Sequence, residues 1–234
     1  MAKRGKTERN ARGAANKRSL SRTRIVDAAL AMIDRDGVDA FTMRQLAAEL
    51  GVTPMALYNH VGGKLELLRN VAGQVLAEID FYNGTQDWGA KDWGAKDWRE
   101  RVAGCFQALR AACLRHPGAA RLLEVDGVAP AAVFAPMQVA VAALTGAGLS
   151  ATDALRAYFT LIAFTIGQAG YQARGPVAAL EPGPAAGAGS LDDKLAEIIG
   201  PSLENAWDFD AAFEFGLKLI LDGIEAALGR DKRR

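Results

Sequence analysis

Apolar residues along the chain recur at helical spacing, not in alternation. Ile25, Ala28, Ala29, Met32 and Ile33 line one face of a helix from Ser21 to about Asp36, which Gly37 stops. Thr42, with Gln45 three positions on, forms a capping box before a short helix with Leu46 and Leu50 inward. Gly51 supplies a turn. Thr53 is a second N-cap, and Pro54 falls at the first helical position, where its missing N–H costs nothing. Leu57 and Val61 then share a face. A longer helix from about Lys64 to Asp80 carries Leu67, Leu68, Val71, Val75, Leu76 and Ile79.

Further on, Val102, Cys105, Phe106, Leu109, Ala112 and Cys113 predict a helix from Trp98 to His116. His116-Pro117 ends it, and Pro117 opens a short helix through Leu123. Another helix spans Pro130 to Leu144, with Pro136 kinking its first turns. Ser150 and Asp153 cap a strongly apolar helix through about Gln172, with Leu155, Tyr158, Phe159, Leu161, Ile162, Phe164 and Ile166. Residues 174–190, rich in Gly, Pro and Ala, read as a long loop. A short helix, Leu191 to Ile199, precedes a last one from Asp208 to Leu228. No segment reads as a strand, so the expected fold class is all-α.

Two short helices joined by a Gly-containing turn make a helix-turn-helix, whose second helix enters the DNA major groove. Thr53, Met55, Ala56, Tyr58, Asn59 and His60 are not needed inside. Hydroxyls and His suit phosphates, and small apolar groups suit thymine methyls. Arg44 has the fork to read guanine O6 and N7. Lys64, opening the next helix, can meet a phosphate.

Charge sharpens this picture. Nine Lys or Arg and one acid fall in residues 1–24, a net +8 that leaves −7 elsewhere from an overall +1. A basic arm on a mildly acidic body points to nucleic acid at one end. No apolar run reaches the ~18 residues of a membrane helix, and the N-terminus lacks a signal-peptide core, so a cytoplasmic protein is expected. Cys105 and Cys113 lie eight apart in one predicted helix, ~12 Å along its axis. That is too far for an intrachain disulfide, and they read as small buried hydrophobes, with a redox switch as the weaker alternative. Enzyme chemistry finds no foothold. His60 and His116 are the only histidines, and no nucleophile elbow, phosphate loop, dinucleotide fingerprint or metal-type cysteine pair occurs. No cofactor is expected. His116 reads as a C-terminal helix cap.

The run from Leu20 to Ile79 resembles the DNA-binding domain of the tetracycline-repressor (TetR) family of bacterial regulators. The likeness rests on the apolar first helix ending in Gly37, then Phe41-Thr42-Met43-Arg44-Gln45-Leu46-Ala47, then Leu57-Tyr58-Asn59-His60-Val61 with Lys64 and Leu67-Leu68. The Trp98 helix with its His116-Pro117 corner, and the end Phe213-Glu214-Phe215-Gly216-Leu217-Lys218-Leu219-Ile220-Leu221-Asp222-Gly223-Ile224-Glu225, are similar to the branch holding the tetracycline repressor itself. The resemblance implies an all-helical homodimeric repressor: a three-helix DNA-binding domain and a larger ligand-binding and dimerisation domain. It places DNA contacts on Thr42, Arg44, Met55, Ala56, Tyr58, His60 and Lys64; Asn59 stands where relatives often carry an aromatic.

On this reading, residues 1–18 are a basic arm, 19–64 the helix-turn-helix domain, 65–82 a connecting helix and 83–97 a linker. The linker holds the tandem repeat Asp87-Trp88-Gly89-Ala90-Lys91 and Asp92-Trp93-Gly94-Ala95-Lys96. Residues 98–230 form the ligand-binding and dimerisation domain. The implied pocket draws on Phe106, Leu109, Cys113, Phe134, Met137, Val141, Tyr158 and Ile162, with Gln168 as a polar contact. Such a lining suits a small, mostly hydrophobic effector, a drug-like compound or polycyclic metabolite. A tetracycline–magnesium chelate is not expected, since Asp80 and Leu123 stand where the family's ligand histidines would be. On the last helix Phe213, Gly216, Ile220, Gly223, Ile224 and Ala227 form a stripe suited to a four-helix dimer bundle with the Ser150 helix, or to packing inside one chain. The alternative function is a helix-turn-helix regulator acting as an activator or without a small-molecule ligand.

Overall fold

The computed structural model describes residues 20–79, 98–124, 129–173 and 208–231. All its regular elements are helical: α1 (Arg22–Asp36), α2 (Met43–Leu50), α3 (Pro54–Tyr58), α4 (Lys64–Ala77), α5 (Trp98–Arg115), α6 (Pro117–Ala120) with a 3-10 turn (Arg121–Glu124), α7 (Ala129–Ala147), α8 (Ala151–Ala173) and α9 (Phe209–Asp231). The basic arm, Asp80, the Trp repeat, the 174–190 loop and the Leu191–Ile199 helix lie outside the described residues.

Local chemistry sets the ends. The Ser21 hydroxyl accepts the Arg24 N–H at 3.2 Å, and Gly37 leaves α1 at φ 83°. Gly51, at φ 68°, ends α2 in the left-handed region. Its N–H and that of Val52 close back on Ala48 and Ala47 carbonyls at 3.1 and 2.9 Å, consuming carbonyls the helix would leave unpaired. A side chain at Gly51 would pay for the positive φ. Ser150 accepts the Asp153 N–H at 3.1 Å while donating to Asp153 Oδ2 at 2.8 Å. Asp208 accepts the N–H groups of Asp210 and Ala211, both at 3.0 Å, and so starts α9. Pro136 lies inside a continuous α7.

α1, α2 and α3 bury Ile25, Ile33, Phe41, Leu46 and Leu57 together. α4 adds Leu67 and Val71 to that cluster and runs on towards the body. Asp27 accepts from Gln74 at 2.9 Å, tying α1 to α4. In the body α5, α7 and α8 pack mutually around Phe106, Leu109, Leu144, Tyr158 and Leu161. α9 lies against α8 and α5. Phe213 stacks on Phe164, with centroids 5.4 Å apart, and Gln107 donates to Glu214 at 2.9 Å. Arg99 pairs with Asp222 and, at 3.0 Å, with Glu225. Arg110 reaches Asp210 and Gln172 with its guanidinium over the Phe213 ring.

Candidate DNA interface and effector body

The recognition helix α3 turns its apolar residue Leu57 fully inward and leaves the rest outward. Met55 is 71% exposed and Tyr58 49%, unusual for large apolar side chains unless a partner covers them. Thr53, Asn59 and His60 are exposed, Ala56 half-buried; Arg44 is exposed on α2. The two cap threonines differ. Thr42 accepts the Gln45 N–H at 3.2 Å but also gives its hydroxyl proton to Gln45 Oε1 at 2.6 Å, so that donor is spent inside the domain. A phosphate oxygen needs a donor, and in this arrangement the Thr42 side chain has none to give. Thr53 accepts from Ala56 N–H at 3.3 Å, which leaves its proton free for a phosphate. Lys64 gives one N–H to the Phe41 carbonyl at 2.6 Å and sits 5.7 Å from that ring's centroid. Two of its three protons remain for DNA.

Glu66 is a residue that spacing did not flag. Its carboxylate accepts the Gly62 N–H at 2.9 Å and pairs with Arg22, so it braces α3's exit against α1. Its place in the first turn of α4 suits the Gly62 contact, four residues back, but no sequence signal marks Arg22, which lies 44 residues away on α1.

In the body the expected pocket residues divide. Leu109 and Cys113 line a small apolar niche with Ala72, Val75, Leu76, Ala112, Ala119 and Ala120. It lies between α4, α5 and α6. Phe106 and Tyr158 are fully buried core, their ring centroids 6.2 Å apart. Met137, Val141 and Ile162 pack half-buried against that core, as Gln168 is half-buried. Phe134 is 53% exposed. The residues missed are mostly alanines, whose spacing says "inner face" and nothing about a void. Both thiols are buried; burial pushes Cys105 up to about 12 and Cys113 up to about 11, so they stay protonated and inert.

The expected dimer stripe needs correction. Phe213 is 0% exposed and Ile224 8%, both inside the chain's own core, with Ile220 packed against it. A Cβ on Gly216 would lie 2.5 Å from Phe164 Cζ, so that glycine seats α8, not a partner. Only Gly223 and Ala227 face outward. Among the described residues the large apolar side chains left exposed here are Phe215 (65%) and Leu219 (54%), four apart on α9, and Phe159 (57%) on α8. His116 is no simple cap: its ring meets Asp34 and Glu78 where the two parts of the chain join.

A helix-turn-helix with an outward recognition helix, joined by one helix to a larger helical body, is the architecture of a DNA-binding protein. Residues 25–71 match the bacterial regulatory proteins of the tetR family, and residues 92–228 match the tetracyclin repressor-like C-terminal domain. The chain belongs to the TetR family of DNA-binding transcriptional repressors, and it is not an enzyme. It is similar to the tetracycline repressor protein class A from transposon 1721 of Escherichia coli, at 35% identity over 206 residues, 86% of this chain and 88% of that one. Among solved structures, apo ActR from Streptomyces coelicolor covers 91% of this chain and 98% of its own, with a TM-score of 0.70 and 28% identity. ActR in complex with actinorhodin gives 0.66 at 29% identity, over 90% and 99%.

Proposed function

We propose that the chain, as a homodimer, represses transcription from a near-palindromic operator and is released by a small, mostly hydrophobic effector. The observation that carries this is Met55 and Tyr58 standing open on α3 beside Arg44, Thr53 and Lys64. Arg44 reads a base edge, Met55 and Ala56 meet thymine methyls, and Tyr58, Thr53, His60 and Lys64 hold phosphates. Two recognition helices in a dimer sit about one DNA turn apart, ~34–36 Å. The dimer forms through the free face of α8 and α9, with Phe159, Phe215 and Leu219 at its centre and Gly223 and Ala227 at its edge, as a four-helix bundle across a two-fold axis.

The niche supports the effector half. Its walls are apolar, which selects a hydrophobic ligand. As it stands it has room for little more than a water molecule, far below the ~300 Å³ where small-molecule pockets begin. A drug-sized effector therefore enters only by moving α4 from α5 and α6, and α4 carries the helix-turn-helix. Effector binding and recognition-helix spacing are then one equilibrium, and operator DNA must weaken effector binding by the same factor. ActR, bound to actinorhodin, offers a chemical starting point for the search. Selection from random duplexes should enrich a two-fold symmetric site. A thermal-shift screen of hydrophobic metabolites and antibiotics should then yield compounds that release that site. Selection without an enriched half-site refutes operator binding; tight ligands that bind free and operator-bound protein equally refute derepression.

A further inference from the structure

Three elements meet at the corner between α5 and α6. His116 stands at its apex. Its Nδ1 lies 2.7 Å from Asp34 Oδ2, in the last turn of α1, and its Nε2 lies 3.2 Å from Glu78 Oε2, just past α4. Both ring nitrogens therefore face carboxylates, which only accept. A neutral imidazole has a single N–H, so it serves one carboxylate and turns a lone pair on the other; only the imidazolium serves both. The other Asp34 oxygen accepts the Ala119 N–H at 3.3 Å, at the start of α6. Beside it, a Cβ on Gly118 would lie 2.1 Å from the Ile33 carbonyl oxygen. The corner thus presses on the α1 backbone while His116 grips the ends of both α1 and α4.

We propose that His116 is a proton-operated latch: as imidazolium it ties the DNA-binding domain and the connecting helix to the body, and loss of the proton loosens that mounting and weakens operator binding. A loosened domain must be ordered again when it meets DNA, and that ordering is subtracted from affinity. The inference rests on the operator-binding reading above.

The charged groups around the ring set the sign. From α1 it faces Asp34, and from the end of α4 it faces Glu78. On its own helix, Arg115 donates to the same Glu78 oxygen at 2.8 Å and weakens that carboxylate's pull. Arg121 of the 3-10 turn is committed to Asp39 at 3.1 Å. Burial pulls the imidazole pKa down, but the hydrogen bonds to Asp34 and Glu78 outweigh it and leave the pKa raised. A raised pKa means the latch is complete below the ordinary His value of about 6.5 and is lost as pH rises through the higher folded one.

The chain's other histidine, His60, is exposed on the DNA side and would add a second imidazole signal, so every arm of the test carries His60→Gln. NMR of the single remaining ring, on the full-length dimer without DNA, should give a midpoint above the ordinary His range. Asp34→Asn and Glu78→Gln should each lower it. Operator affinity should fall about three- to tenfold between about pH 6 and about pH 8.5, the effect of one partly exposed charge-assisted bond, and this fall should vanish in His116→Gln. A ring titrating at or below the ordinary value overturns the latch. A raised midpoint with the same pH profile in the His116 and His116→Gln proteins overturns its coupling to DNA. Failure of the parent protein, with His60 intact, to bind the selected operator at either pH refutes the operator reading instead, and the ring titration still judges the latch.

Discussion

Gly118→Ala is the perturbation whose sign separates tertiary packing from local propensity. Gly118 lies within α6, and alanine is the better helix former by about 1 kcal/mol. Propensity alone therefore predicts stabilisation. The added Cβ, however, would stand 2.1 Å from Ile33 O, 2.6 Å from Ile33 C and 2.8 Å from Asp34 Cα. All three are backbone atoms of α1, so no side-chain rotation relieves the clash. α1 and α6 must part, which disturbs the Asp34 bonds to His116 and Ala119 as well. Overpacking of this kind costs about 1–3 kcal/mol, so the net should be destabilising despite the propensity gain. Gly73→Ala is the control: it lies within exposed α4 surface with nothing inside 4 Å of its Cβ, and it should stabilise by about 0.5–1 kcal/mol. Urea unfolding at one fixed protomer concentration reads both, since dimer stability depends on concentration. A Gly118→Ala protein as stable as Gly73→Ala, or more stable than the parent, would show that the corner does not bear on α1 and would refute the reasoning.

The other expectations concern the surfaces. Arg44→Ala should cost about 1–3 kcal/mol of operator affinity and relax one base position, whereas Lys64→Ala should weaken all sequences alike and flatten the salt slope; footprints of selected sites under both variants check this. Leu219→Arg should give monomers with weak operator binding in sedimentation, while Phe213→Ala should act through the core, lowering stability by about 3–5 kcal/mol; an intact Leu219→Arg dimer would move the interface elsewhere. Cys105 and Cys113 should resist alkylation in the folded protein near pH 8 and react on unfolding, as mass spectrometry would show; fast labelling of the native chain would contradict their burial.

The parts of this protein legible in its sequence are those written within four or five residues. Thr42, Thr53 and Ser150 all cap the helices that spacing assigned to them, and Gly37 and Gly51 end theirs at positive φ. Caps and turns satisfy backbone groups whose partners are near neighbours, so their signals survive without knowledge of the fold. The helix-turn-helix was readable for that reason, as was which face of α3 lies outside. Choice among distant partners was not. The α9 stripe was visibly apolar, yet only packing decided that Phe213, Gly216 and Ile224 belong to Phe164 and the core and that Phe215 and Leu219 stay free. The niche walls are mostly alanine and leucine, which mark an inner surface but carry no record of an imperfect fit. His116 looked like the end of one helix; tertiary structure brought Asp34 and Glu78 to it across 82 and 38 residues of chain. Periodicity specifies which side of a helix is buried, whereas what buries it depends on how all the helices fill space together, and that is decided only when the chain closes.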